Sequence, residues 1–398
     1  MDYRFATRMA NMSGTATREI FKLLSRPEII SFAGGNPALE CLPTERVREI
    51  MSEIGQSPTF SRVLQYGLTV GFPELRELYC DYVKTVGISD AKPENVLVIS
   101  GGQQGIDLTL KAFINPGDVV LVENPTYLAF LQLANSYEAK CVGVDADEDG
   151  LIISDLEAKI KKYNPKILYT VPTFSNPTGK TYTLENRKRI AAITAKYGVI
   201  VLEDDPYSKL RFSGEDVPSI KSLDKAGNVI FVSSFSKIIS PGNRTGVACA
   251  VPEIIRKLEV GKQGTDLHSA NISQMITYEY LKRGYLQGDL EKSVKIYGEK
   301  KAAMYSAIEK YMPDEFIHTN PDGGLFIWGY FPESIDVLKI FPEAVARNVA
   351  YIQGNVFFAD GGGKNYMRLN YSYASLEQID RGIKILGGLF KEKLTESK

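Results

Sequence analysis

The chain has 398 residues, more than one hydrophobic core usually serves, so two domains are expected. Its 47 Lys and Arg offset 48 Asp and Glu, and no long basic run breaks that balance. The charge therefore gives no general attraction to nucleic acid or to an anionic membrane surface, and 44% hydrophobic with 24% charged residues excludes a disordered or fibrous chain.

Residues 18–24, followed by an apolar stretch at 29–32, are placed against the second of the two domains. From about residue 95 the chain alternates apolar, β-branched runs with helical stretches. Residues 95–100 (NVLVIS) read as a buried strand, and Gly101-Gly102-Gln103-Gln104-Gly105 opens a helix over 106–113. Strands follow at 119–122 and 166–172 (KILYTVP). A helix over 184–197 has Thr183 as N-cap and Gly198 as its stop. Residues 199–204 (VIVLED), 229–233 and 246–251 complete the run of strands. Continuous apolar strands separated by helices imply a sheet covered on both faces, hence an α/β layered domain. The pattern changes after about residue 252. Amphipathic helices are expected at 252–261, 269–283 and 290–311, strands at 324–330 and 366–371, and a closing helix at 376–391. These form a smaller α+β domain hung on a connecting helix.

Cys41, Cys80, Cys141 and Cys249 are scattered in or beside apolar segments without a Cys-x-x-Cys pair, which reads as buried free thiols in a reducing compartment. Two distant histidines, His268 and His318, leave little material for a histidine metal site or a Ser-His-Asp triad. The opening MDYRFATRMANMSG lacks the apolar core of a signal peptide, and no run of about eighteen apolar residues appears. A cytoplasmic protein without a membrane span, a metal or a nucleic-acid partner is expected.

In open α/β sheets ligands bind at the carboxyl ends of strands, and several distinctive residues fall there. The Gly101–Gly105 stretch by itself reads first as an ordinary glycine-rich turn; it also suits a phosphate, because glycines admit close approach and the helix N-terminus offers free N–H groups. It matches neither a dinucleotide nor a Walker loop. Ser175-Asn176-Pro177-Thr178-Gly179 is turn chemistry, or a place where Asn176 donates into a site. Glu203-Asp204-Asp205-Pro206-Tyr207 ends a strand. A carboxylate there either caps the next segment or holds a ring nitrogen protonated in a low dielectric. Lys237 follows Ser233-Ser234-Phe235-Ser236, with Arg244 shortly after. Hydroxyls and an arginine suit a phosphate, and a lysine held among positive charges has a lowered pKa and forms Schiff bases. Arg368, between apolar neighbours in the late strand, is either a snorkelling or ion-paired strand arginine or a clamp for a carboxylate.

Together these residues resemble the class I/II aminotransferases of pyridoxal-phosphate (PLP) fold type I, over nearly the whole chain. Asn176, Asp204, Tyr207, Lys237 and Arg368 keep the order of the family signature, and Ser233–Gly246 (SSFSKIISPGNRTG) is similar to its lysine motif. The branch resembled most is that of the α-aminoadipate and kynurenine aminotransferases. Phe32–Pro37, Gln65-Tyr66-Gly67, Glu203–Tyr207 and Lys262–His268 carry that narrower match.

The resemblance implies a large domain, residues 36–290, with a mostly parallel seven-stranded sheet, a small α+β domain, 291–398, and an N-terminal arm, 1–35. It implies pyridoxal 5'-phosphate bonded to Lys237, which later moves a proton at the substrate's Cα. Asp204 pairs with the ring nitrogen, Asn176 and Tyr207 with the ring 3′-oxygen, and Tyr127 stacks on the ring. Gly102, Gln103, Ser234, Ser236 and Arg244 hold the phosphate, and Tyr66 reaches it from the other subunit of a homodimer. Arg368 takes the substrate α-carboxylate with Asn176 and the Gly35 backbone, and Arg18 meets a distal carboxylate or is a solvated helix residue. Amino acid and keto acid, the latter 2-oxoglutarate, react in turn by a ping-pong mechanism. The donor is of the 2-aminoadipate, aromatic or branched-chain type. Where the family usually has serine this chain has Gly102, which offers only its backbone N–H.

Two other functions fit the same residues. A carbon–sulfur lyase on this fold shares every cofactor residue. A PLP-sensing transcription regulator also resembles this branch, but the residues ahead of Gly34-Gly35 are too few for the winged-helix domain it carries.

Overall fold

The computed structural model describes residues 3–10 and 26–396. Its strands, in chain order, are β1 (Ile30–Ser31), β2 (Val96–Ile99), β3 (Val119–Asn124), β4 (Lys140–Asp145), β5 (Ile167–Thr170), β6 (Ile200–Asp204), β7 (Val229–Ser234), β8 (Gly246–Cys249), β9 (Ile317–His318), β10 (Phe326–Tyr330), β11 (Val349–Ala350), β12 (Ile352–Gln353) and β13 (Tyr366–Asn370).

Seven of them form the central sheet in the order β2-β8-β7-β6-β5-β3-β4. The pairs from β4 through to β7 are parallel, and β8 runs antiparallel to both its neighbours. This is the mostly parallel seven-stranded sheet that the resemblance implies. Its strands read as apolar runs because both faces are covered. Side chains alternate between the faces. Leu121, Leu168, Val201 and Val229 join one buried cluster with the helices Ile153–Tyr163 and Leu184–Tyr197. Val122, Tyr169, Leu202 and Val232 join the other, with the helix Gly102–Phe113.

The sequence expectations for β2, β3, β5, β6, β7 and β8 agree with these strands to within a few residues at each end. The helix Leu184–Tyr197 matches in full. The Thr183 hydroxyl accepts from the Asn186 N–H, and Gly198 ends the helix in the left-handed conformation. Strand β4 is an addition. It is an edge strand, half-buried and interrupted by Gly143, and it lacks the continuous apolar signal of its neighbours.

A second sheet, β12-β13-β10-β9, is antiparallel. The helices Tyr285–Tyr311 and Leu376–Glu396 pack on one another beside it. Strand β1 pairs in parallel with β11, so the early apolar stretch does join the later part of the chain. Residues 18–24 lie outside the described residues. The four cysteines are free; Cys80 and Cys249 are buried, whereas Cys41 and Cys141 are only half-buried, against the expectation of four buried thiols. No helix among the described residues is long and apolar enough to cross a membrane.

Candidate active site

The parallel strands all end at one edge of the sheet, and the segments leaving that edge converge. From β3 comes Tyr127, from β5 Asn176, from β6 Asp204 and Tyr207, and from β7 Ser234, Ser236 and Lys237. Strand β2 leads into Gly102 and Gln103. Because β8 runs the other way, Arg244, which precedes it, lies at the same edge. All of these residues line one cavity of about 330 Å³.

Alternation along β6 decides which carboxylate faces this cavity. Asp204 shares the face of Leu202 and is 5% exposed. Glu203 points to the opposite face, where its carboxylate accepts from the Ile220 and Lys221 N–H groups. Asp205 turns back to Ser208. The Tyr169 hydroxyl donates to Asp204 Oδ2 at 2.9 Å. Burial pushes the Asp204 carboxyl up to about 7, opposed by that hydrogen bond and reinforced by Asp205.

Lys237 Nζ donates to the Gly35 carbonyl at 2.7 Å. Burial, with the nearby Arg368 and Arg244 guanidiniums, lowers its pKa to about 8. Ser234 Oγ donates to Ser236 Oγ at 2.9 Å, and Ser236 Oγ also accepts from Arg244 Nη1 at 3.2 Å. Arg244 Nη2 donates to the Ser100 carbonyl at 3.2 Å. Gly101 has φ +81°, and a Cβ there would collide with the Arg244 guanidinium, so glycine is required where that side chain crosses the backbone.

Arg368 enters from β13. Nη1 donates to Asn176 Oδ1 at 2.6 Å, and Nη2 to the Ala33 carbonyl at 2.6 Å. Its guanidinium lies 4.2 Å from the Phe326 ring centroid and 5.2 Å from that of Phe357. Burial brings its pKa down to about 10. Its Nε is buried and has no hydrogen-bond partner among the described residues. Arg368 itself does not line the cavity; it reaches the site through Asn176, which does.

Tyr66 does not line the cavity of its own chain. It is 79% exposed, its ring set edge-on to His268. Arg18 lies outside the described residues. Gly35 turns its carbonyl to Lys237, while Ala33 and Gly34 supply the carbonyls near Arg368.

Tyr169 was not singled out by sequence; nor were the two rings against Arg368. Glu123 is a further addition. It is buried, and it accepts from Tyr182 Oη at 2.6 Å, from Ser175 Oγ at 3.1 Å and from the Val171 N–H at 3.1 Å, which fixes the loop carrying Asn176.

Among the described residues, Lys237, Arg244 and Arg368 against the facing Asp204 make the site suit a ligand bearing anionic groups. A lysine amine of lowered pKa, a buried carboxylate, a serine-arginine cup and a guanidinium held behind Asn176 fit pyridoxal phosphate together with a carboxylate substrate.

Comparison with known proteins agrees. The chain is 40% identical to an aromatic-amino-acid aminotransferase of Thermococcus litoralis, over 99% of this chain and 96% of that one. The kynurenine aminotransferase of Pyrococcus horikoshii, solved in complex with PMP, superposes with TM-score 0.93 at 40% identity, covering 98% of this chain and 97% of that chain. The α-aminoadipate aminotransferase of Thermus thermophilus, complexed with N-(5'-phosphopyridoxyl)-L-leucine, gives TM-score 0.92 at 36% identity, covering 98% of each chain. Residues 27–386 match the family model "Aminotransferase class I and II". The chain belongs to that family: it is a PLP-dependent aminotransferase of fold type I.

Proposed function

We propose that this enzyme takes the amino group of an aromatic, 2-aminoadipate or branched-chain amino acid and passes it to a keto acid, 2-oxoglutarate, in ping-pong fashion. The observation that carries the reading is that Lys237, Asp204 and Asn176 line one cavity, with Arg368 from β13 held on Asn176 and close enough to lower the Lys237 pKa. The donors acted on by the related enzymes support the choice of side chain. The acting unit in this reading is a cytoplasmic homodimer in which the exposed Tyr66 crosses to the partner's phosphate. The large domain is 36–290, the small domain 291–398 and the arm 1–35; the boundary at 290 falls within the continuous helix Tyr285–Tyr311.

Pyridoxal phosphate, when bound, supplies a carbonyl that condenses with amines and a ring that draws electrons away from Cα. The chain's own residues do the rest. Lys237 Nζ would be the amine that holds the cofactor and the base that moves the substrate's Cα proton. Asp204 holds the ring nitrogen protonated. Asn176 and Tyr207 hydrogen-bond the 3′-oxygen, and Tyr127 covers the ring. Ser234, Ser236, Arg244 and the N–H groups of Gly102 and Gln103 hold the phosphate. Arg368, aided by Asn176 and the Gly35 backbone, binds the α-carboxylate. Arg18 would be the residue for a distal carboxylate, its alternative being a solvated helix residue.

The test is a half-reaction screen. Loaded enzyme is mixed with phenylalanine, kynurenine, 2-aminoadipate or leucine, and the visible absorbance is followed. Bleaching by one of these classes and recovery on adding 2-oxoglutarate is the expected result. Pyruvate and ammonia released from cysteine-type substrates without a keto acid would establish the lyase instead. Arg368→Gln leaves a carboxylate without its charge partner. It is expected to lower kcat/KM for every amino acid by about two to three powers of ten while the cofactor's absorbance is retained.

A further inference from the structure

Behind the serine-arginine cup lies a polar cluster that the reaction does not use. Lys262, near the end of the helix Pro252–Gln263, is 0% exposed. A buried ammonium is costly unless fully paired. Its Nζ donates to Gln104 Oε1 at 2.6 Å, to both oxygens of Asp266 at 2.9 Å and to Ser269 Oγ at 3.1 Å. Asp266 Oδ2 also accepts from Gln104 Nε2 at 2.7 Å and from Ser100 Oγ at 2.9 Å. Gln104 Oε1 in turn accepts from the Ser100 N–H at 2.8 Å. Burial works against the Asp266 carboxylate, but the hydrogen bonds from Lys262 and Gln104 outweigh it and hold its carboxyl below the usual range.

Every path through this cluster ends on Ser100. That residue and Gly101 form the turn between β2 and the helix Gly102–Phe113. The Ser100 carbonyl is an acceptor for Arg244 Nη2. The turn therefore sets both halves of the cup at once: the direction of the helix N-terminus and the place of the guanidinium. Gly102 has no side chain to reach a phosphate, so at that position the cup offers only a backbone N–H, whose direction follows from the turn.

We propose that Lys262, with Asp266 and Gln104, is a positioning cluster for cofactor phosphate: it locks the Ser100–Gly101 turn so that the first N–H groups of the helix and the Arg244 guanidinium meet at one point. This rests on the reading of Arg244, Gly102 and Gln103 as the phosphate site.

The experiment compares equilibrium binding of pyridoxal 5'-phosphate and of phosphate-free pyridoxal to apoenzyme by ultrafiltration. Lys262→Met and Asp266→Asn are each expected to raise Kd for pyridoxal 5'-phosphate about 10- to 100-fold, the size typical of residues that orient a ligand shell. The Kd for pyridoxal should change less than about threefold, because pyridoxal makes no use of the cup. An unchanged Kd for the phosphorylated cofactor, or equal weakening of both ligands, overturns the proposal. If Lys262→Met does not fold, the nearly isosteric Asp266→Asn decides by the same ratio. Arg244→Gln separates the two levels. If it narrows the gap between the ligands and the cluster variants do not, only the positioning role fails. If it too leaves the gap unchanged, the phosphate site itself is misassigned.

Discussion

Lys237→Ala is expected to slow the half-reaction with any amino acid by about four powers of ten or more, since on the proposed reading it removes both the covalent anchor and a positioned base. The site prepares this amine in two ways. The Gly35 carbonyl holds Nζ at 2.7 Å, and burial with two neighbouring guanidiniums lowers its pKa to about 8. Near neutral pH a larger share of the side chain is then neutral than for an ordinary lysine. Stopped-flow absorbance with added cofactor reads the loss directly. A variant that transaminates at the wild-type rate would remove Lys237 from the mechanism.

Asp204→Asn is expected to cost about 10²- to 10³-fold in the maximal half-reaction rate, with little change in binding of a carboxylate inhibitor. The amide keeps the shape and can still accept from Tyr169, but it carries no charge to hold a ring nitrogen protonated. Loss confined to inhibitor binding, with the rate intact, would contradict the role. Acid has a related effect on cofactor capture by apoenzyme. The Lys237 amine protonates below about 8 and the Asp204 carboxylate below about 7. Both functional forms are present above those values and lost below them, so capture falls from pH 8 to pH 6.

How much of this was readable in the sequence follows from where each residue sits. Asn176, Asp204, Lys237 and Arg244 lie at the ends of apolar strands, and a polar group there stands out. Tyr169 lies inside the apolar strand β5, where a tyrosine looks like core, and its partner becomes visible only when β5 and β6 pair. Phe326 and Phe357 flank Arg368 from different segments, a relation no local pattern encodes. The helix Leu184–Tyr197 was legible because Thr183 and Gly198 mark its ends. The helix Val337–Ala346 was not, because Pro342 interrupts its pattern. Lys262 stood in a recognisable motif, but its burial against Gln104 depends on contact between distant helices.

Lys237, alone among the lysines, is expected to bond to the cofactor. Borohydride reduction of the loaded enzyme fixes the carbon–nitrogen bond, and proteolysis with mass spectrometry locates the modified lysine. Stoichiometric labelling of Lys237 is the expected result; label on Lys262 or any other lysine, with Lys237 unmodified, would contradict the account.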